Sequence, residues 1–378
     1  MIKKYISFSL IFIVLLFTLT GCYDSTGIED FYYIVAIGID KAENGLTRLS
    51  VQNAKPTSSS DSSTSQSNEY KIYTVDCESI EIGINILNNY LNKKINLSHC
   101  SAIIFSEEIA KEGIKNYINI LGNDTEIRPN CSVLISSQKA LDVLDKVSNS
   151  GESFSSRLYE YILNSVDYTG YTINSTFNSF FSKINSSQTE AMAIYSVVNE
   201  DTIQNSGAAI FKDSIMVGTI SPSETIAHLM INNELDSCII SIENPTNKGN
   251  MIDINLKKNS PPIIDVNLIN NSPYITIEIF VDGSINSSGE EFDYTNLNNI
   301  KKVEEASNKY IENLLKEYLY SISKDYNSDI SGFGGILASK FLTADDYDKV
   351  HWNEIFKDSF FEIHVDTKIQ SSHLFNKE

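Results

Sequence analysis

Two textures of apolar and polar positions run along this chain. The first begins at FYYIVAIGID (31–40), an apolar run rich in β-branched and aromatic residues that reads as a strand. LTRLSVQNA (46–54) reads as its partner, joined through a turn at Glu43, Asn44 and Gly45. PTSSSDSSTSQSN (56–68) has no apolar residue to bury and predicts a flexible loop, after which strand-like YKIYTV (70–75) follows. Ile80, Ile84, Leu87 and Leu91 recur at helical spacing and predict an amphipathic helix over 79–93. SAIIFS (101–106) and CSVLIS (131–136) read as buried strands; EEIAKEGIKNYINILGN (107–123) and QKALDVLDKV read as helices after each. Strands alternating with helices predict a mixed α/β layer for residues 31–190.

From Ala191 the texture changes. AMAIYSVV, GAAIFKDSIMVGTI, SCIISIE, MIDINL, PIIDVNLI and YITIEIFVDG are short and mostly strand-like. Among them SETIAHLMINNEL (223–235) reads as a helix with Ser223 as its N-cap. A long helix over 296–322 carries one apolar stripe, including Ile300, Val303, Ile311, Leu315, Tyr318 and Ile322. The stripe does not keep an a/d heptad, so it is expected to pack on a sheet. SDISGFGG (328–335) reads as a glycine-rich turn, and WNEIFKDSFFEIHVDTKI (352–369) as a helix running into a terminal strand. The expected fold class is α+β, or mixed α/β, in three small mixed domains at 31–190, 191–262 and 263–378.

Ahead of these lies a different pattern. Lys3 and Lys4 precede fifteen almost unbroken apolar residues, YISFSLIFIVLLFTL (5–19). As a helix this run would reach about 22 Å, short of the ~30 Å hydrocarbon layer, so a cleaved signal is expected over residues 1–21. Leu19, Gly21 and Cys22 in LTGCYDSTG resemble the bacterial lipobox, in which the cysteine thiol is diacylated and becomes the first residue. Residues 22–30 would then be a lipidated tether, and Cys22 the modified site.

Composition narrows the partners. Removing residues 1–21 leaves 357, and takes away only Lys3 and Lys4, so the net charge of −20 becomes −22. Such an acidic surface is repelled by nucleic acid and by anionic lipid, so no nucleic acid partner is expected and attachment to a membrane falls to the acyl chains. Cys77, Cys100, Cys131 and Cys238 form no CxxC pair. They read either as disulfides of an exported protein or as small buried hydrophobes.

Candidate chemistry is sparse. Ser136 with Lys139, and Ser321 with Lys324, match S-x-x-K, but the S-D-N and K-T-G elements that serine acyl-enzymes also need do not occur. The Gly332 to Gly335 run lacks the spacing of a dinucleotide turn. His99, His228, His351 and His364 have no ligand-spaced partners, and the acidic pairs Glu107 with Glu108 and Asp345 with Asp346 read as solvated. No catalytic, metal or cofactor site is expected.

Taken in order, several blocks resemble the spore germination receptor C-subunit lipoproteins, the Ger(x)C family. LTGCYDSTGIEDFYYIVAIGID leads from Cys22 through an acidic segment to Gly38, Ile39 and Asp40; Val51 and Gln52 stand ahead of Pro56. LSHCSAIIFSEEIAKEGIKNYINIL places His99 before a strand, and Arg128 stands where the family commonly has an arginine. GAAIFKDSIMVGTISPSET supplies Phe211, Lys212, Asp213, Val217, Gly218 and Glu224, and the last block is SDISGFGG with Trp352. Two departures are Tyr23, where the family often has tryptophan, and the serine loop. The resemblance implies three mixed domains and a non-enzymatic subunit of a nutrient germinant receptor. Such a subunit would sit on the outer face of the plasma membrane, or spore inner membrane, beside polytopic A and B subunits. It implies no cofactor and no direct small-molecule ligand. The competing reading is a solute-binding lipoprotein of a transporter, which needs two α/β lobes about a cleft; the strand-rich texture of 191–281 does not suggest a second lobe.

Overall fold

The computed structural model describes residues 27–54, 70–149, 169–199, 202–288 and 296–370, with Tyr5, Ile6 and Ser9. The lipobox with Cys22, nearly all of the leader, and the serine loop at 56–68 lie outside the described residues.

The strands are β1 (Phe31–Lys41), β2 (Thr47–Ala54), β3 (Tyr70–Cys77), β4 (Lys94–Asn96), β5 (Ala102–Ser106), β6 (Ser132–Ser136) and β7 (Met192–Val198), followed by β8 (Ile203–Lys212), β9 (Ile215–Ile220), β10 (Ser237–Glu243), β11 (Met251–Lys258), β12 (Ile263–Ile269), β13 (Ser272–Ser288) and β14 (Phe360–Ile369). The described helices are α1 (Ile80–Tyr90), α2 (Glu107–Glu112), α3 (Lys115–Gly122), α4 (Ala140–Asn149), α5 (Phe177–Ile184), α6 (Pro222–Ile231) and α7 (Leu297–Tyr320), then three short ones, α8 (Phe333–Ala338), α9 (Ala344–Asp348) and α10 (Trp352–Ile355).

Two sheets organise them. The first runs β3-β2-β1-β5-β6-β7-β8-β9, with β4 also paired to β1. β1, β5, β6 and β7 are parallel, and antiparallel pairs β2–β3 and β8–β9 flank them. Parallel strands covered on both faces bury every residue, which is why β5 and β6 are continuous apolar runs. Alternate side chains serve opposite faces: Ile103 and Phe105 pack with α1, α2, α3 and α5, and Ala102 and Ile104 with α4 and α6. The second sheet runs β10-β11-β13-β12, with β14 parallel to β13. α7 lays its apolar stripe on this sheet, and its core is continuous with the α4 and α6 face of the first. The fold is α+β, with the long helix packed on a sheet as its stripe implied.

Several helix ends differ from expectation, and the expected domain divisions fall within sheets. The divisions at 190/191 and 262/263 do not follow the sheets: the first falls between β6 and β7, and the second between β11 and β12, each pair inside one sheet. The change of texture near Ala191 marks antiparallel strands joining a parallel sheet, because alternation reports which faces are covered rather than which sheet a strand joins. The helix expected over 107–123 breaks at Gly113 (φ 114°), where the Ile114 amide leaves the helix to donate to the Ser214 carbonyl at 3.0 Å. α6 starts two residues earlier than expected. Its N-cap is Ser221, not Ser223, and Ser221 and Glu224 form a reciprocal capping box ahead of Pro222. α7 ends at Tyr320 and continues as a π turn over Ser321–Asp325, with the Ser323 hydroxyl bonded back to the Leu319 carbonyl at 2.7 Å.

Candidate functional site

The segment 328–335 is where the two sheets are fastened together. After α7 and its π turn, the chain crosses to the β8–β9 hairpin. The Ser328 hydroxyl donates to the Phe211 carbonyl at 2.6 Å, and the Asp329 carbonyl accepts from the Glu190 amide (2.9 Å) and the Thr189 hydroxyl (3.3 Å). Gly332 then takes a left-handed conformation (φ 75°) that turns the backbone into α8. This turn points the Phe333 and Gly334 amides back at the Asp329 carboxylate, at 3.1 and 2.7 Å, and the Trp352 Nε1 donates to the same carboxylate at 2.9 Å. Gly334 is obligatory for a different reason: a Cβ there would lie 2.6 Å from Trp352 Nε1 and 2.7 Å from the Gln188 carbonyl.

Around this carboxylate latch lie further cross-links. Glu190, buried, accepts from the Asp213 amide at 2.7 Å, which holds the hairpin turn where Asp213 adopts φ 57°. The Tyr326 ring covers Gly218, and its hydroxyl donates to the Thr219 carbonyl at 3.3 Å. Tyr318 of α7 bonds the ring Nδ1 of His228 on α6 and the Ser331 hydroxyl, both at 2.8 Å, and Asn232 meets the other His228 nitrogen at 3.0 Å.

Burial sets the electrostatics. It pushes the Asp329 carboxyl up to about 6, against the Gly334, Phe333 and Gly332 amides and the Trp352 ring N–H, which hold it down. Glu190 is pushed up to about 7, first by burial and then by the Asp213 and Asp329 charges, with the Asp213 amide and Lys212 opposing. Burial drives His228 down to about 3, so its imidazole is a neutral hydrogen-bonding group of the core.

Beside the latch are two open grooves. One, of about 370 Å³, is lined by Gln188, Gly335, Ala338, Phe341, Leu342 and Tyr347 among others; the other, of about 190 Å³, lies between Tyr347, Asp348, His351 and Trp352. In the larger groove the Thr343 hydroxyl donates to the Asp346 carboxylate at 2.8 Å, as part of the cap of α9.

A second buried carboxylate does similar work in the first sheet. Asp40, at the end of β1, accepts from the Ala140 and Leu141 amides at 2.6 and 3.0 Å and so seats the first turn of α4.

The remaining candidates separate. Ser136 donates to the Lys139 carbonyl at 3.1 Å and accepts from the Gln138 amide, an ordinary turn. Ser321 caps α7, and the Lys324 ammonium bonds the Lys357 carbonyl. His99 is exposed, edge-on to Tyr33 at 4.8 Å; His351 is exposed at a turn, and His364 meets Glu362 at 3.2 Å on the open face of β14. Glu107 accepts from the Tyr195 hydroxyl at 2.6 Å and pairs with Lys111, Glu108 approaches Lys41 at 3.4 Å, Asp346 pairs with Lys349 at 2.7 Å, and Asp345 is exposed. The four described cysteines are buried and unbridged, with Cys100 and Cys131 sulfurs 3.9 Å apart. Among the described residues there is no group of three or more His, Cys, Asp or Glu that could hold a metal. Cys22 lies outside the described residues.

Comparison with known proteins places these features in a lineage. Residues 24–197 match the spore germination protein N-terminal domain, and residues 206–373 match the spore germination B3/GerAC like C-terminal domain. The chain belongs to the spore germination GerAC-like family. It is similar to the putative spore germination protein YfkR of Bacillus subtilis (strain 168), 22% identical over 357 residues that cover 92% of this chain and 91% of that one. It is also similar to the spore germination protein KC of the same organism, 20% identical over 396 residues, covering 93% and 91%. The crystal structure of the GerBC protein shares the fold, with a TM-score of 0.54 at 17% identity over 88% of this chain and 96% of that one.

The two family regions interlock. The C-terminal region begins within β8, so the β8–β9 hairpin that closes the edge of the first sheet belongs to it. Blocks at 207–225 and 328–335, with Trp352, are far apart in the GerAC-like sequence and meet at the latch. Trp352 could be quoted from the sequence, but its donor role to Asp329 had no local signal, since 23 residues separate them. The Glu190 contact to Asp213 was likewise invisible, because neither residue sits in a repeating pattern.

Proposed function

We propose that this protein is the lipid-anchored C-type subunit of a nutrient germinant receptor, acting without catalysis beside polytopic A and B membrane subunits on the outer face of the spore inner membrane. The observation that carries the reading is the match to both halves of the spore germination family along nearly the whole chain, behind a lipobox ending at Cys22. No described helix is long and apolar enough to cross a membrane. In this reading the acyl chains at Cys22 supply the attachment. Confinement to the surface layer raises the effective concentration near the membrane subunits, and modest contacts then suffice for assembly. The latch at Asp329 supports a scaffold role, because it adds hydrogen bonds to the core that the two sheets share.

Cys22→Ala in a spore-forming host tests the proposal. The variant should leave the membrane fraction, and spores carrying it should lose the response to the nutrients this receptor serves while still germinating by a non-nutrient trigger. A normal nutrient response from a chain found in the soluble fraction would overturn it. Calorimetry of the mature chain against amino acids and sugars should show no binding; micromolar binding would favour the solute-binding lipoprotein instead.

A further inference from the structure

The acidic body and the proposed anchor pose a physical conflict, since a chain of net charge −22 is repelled by the anionic surface to which Cys22 would hold it. The surface nearest the tether is different in character. β1 begins nine residues after Cys22, and an extended chain of that length spans at most about 30 Å, so whatever surrounds Phe31 is kept near the bilayer. β4 pairs with Phe31–Tyr33 there, and the start of β3 lies close by.

Three tyrosines and three lysines form this end. The Tyr32 and Tyr73 rings are 5.6 Å apart; the Lys93 ammonium lies 5.9 Å over Tyr32 and the Lys71 ammonium 4.9 Å over Tyr73. Tyr90 is 57% exposed, with its hydroxyl near the Thr74 carbonyl at 3.5 Å, and Lys94 is exposed on β4, in register with Phe31. The described ion pairs include none of these lysines. At the opposite end of the same strands, Lys41 is matched by Glu108 and Glu112, and Arg48 by Asp76. The acidic neighbours of the tyrosine end are partly tied into the backbone: Asp30 accepts from the Gly27 amide at 3.0 Å and Glu126 from the Leu97 amide at 2.6 Å, with Glu29 exposed.

We propose that the end formed by Tyr32, Tyr73, Tyr90, Lys71, Lys93 and Lys94 docks on anionic headgroups of the bilayer that holds the anchor, standing the first sheet end-on to the membrane. Tyrosine rings favour the water–lipid boundary, with an apolar body and a polar tip. Each lysine near an anionic leaflet raises binding about fivefold, so three together contribute on the order of 100-fold. The proposal rests on the reading of Cys22 as the anchor.

The test supplies that anchor chemically. The mature chain, beginning at Cys22, is coupled through that thiol to a maleimide lipid, since the other four cysteines are buried. Amide exchange is then compared on vesicles of phosphatidylcholine alone and of phosphatidylcholine with phosphatidylglycerol. Exchange over 70–74 and 90–96 should slow by about tenfold or more on the anionic vesicles only, and the triple substitution Lys71→Gln, Lys93→Gln, Lys94→Gln should remove the slowing. High salt should also remove it from the unaltered chain, which keeps the test decisive if the triple variant folds poorly. Equal exchange on both vesicles, or slowing on another face, would overturn the docking proposal. Whether the cell acylates Cys22 is read separately, from the mass of the mature chain.

Discussion

Replacing Asp329 by alanine strikes the latch at its centre. The substitution leaves the Phe333 and Gly334 amides and Trp352 Nε1 without their acceptor in a buried site. A buried donor left unpaired costs about 1–3 kcal/mol, so three cost about 3–9 kcal/mol. Removing the carboxylate also relieves an unfavourable buried charge. Its pKa rises from 3.8 to about 6 in the fold, which corresponds to about 3 kcal/mol at neutral pH. The balance is a net loss of roughly 3 kcal/mol, or a melting temperature lower by about 4 °C for a body of this size. The assay is built into the chain, because Trp352 is its one tryptophan and touches the altered side chain. Thermal unfolding of the chain lacking residues 1–21, followed by tryptophan emission, should show the lower midpoint and a shifted native spectrum. Asp366→Ala, on the open face of β14, is the control and should stay within about 0.5 kcal/mol. If Asp329→Ala melts with the parent chain and leaves the emission unchanged, the carboxylate does not brace the 328–335 turn against Trp352 as described.

Other substitutions separate the contributions. Glu190 has its folded pKa raised from 4.5 to about 7, so the stability linked to its protonated form is complete below about 4.5 and lost as pH rises through about 7. Glu190→Gln should therefore melt above the parent at pH 8, by up to about 3 kcal/mol, with a flatter profile between pH 4.5 and 7; parallel pH profiles would refute this. Gly334→Ala should destabilise by about 1–3 kcal/mol through contact with Trp352 and the Gln188 carbonyl, whereas Gly335→Ala, whose Cβ meets only Gln188 Oε1 at 3.9 Å, should be neutral or stabilising in denaturant titrations. Tyr318→Phe removes the bridge between His228 and Ser331 and should cost about 1–3 kcal/mol with circular dichroism unchanged. In a chain carrying Cys22→Ser, melting should be the same with and without reductant, and thiol reagents should react with the four unbridged buried thiols at Cys77, Cys100, Cys131 and Cys238 only on unfolding.

Most strands and the long helix were legible because their burial is written in short periods: β1, β5 and β6 as continuous apolar runs, β13 and β14 as strict alternation, and α7 as one stripe. What periodicity cannot carry is which sheet a strand joins, and this is why 191–262 read as one unit although β7, β8 and β9 lie in the first sheet and β10 and β11 in the second. Caps were half legible. The Ser221 and Glu224 box is a local motif, though the serine two residues on competed with it. The latch was legible only as a glycine run. Its chemistry is made by Glu190, Asp213, Asp329 and Trp352, which come from four separate stretches of chain, and pairing over such separations leaves no spacing to read.

The account stands most directly on native mass spectrometry of the detergent-extracted receptor from membranes of the sporulating host. The predicted result is a chain that begins at Cys22 and carries acyl mass, released together with two polytopic membrane subunits. A chain that runs alone with an unmodified Cys22 would contradict it.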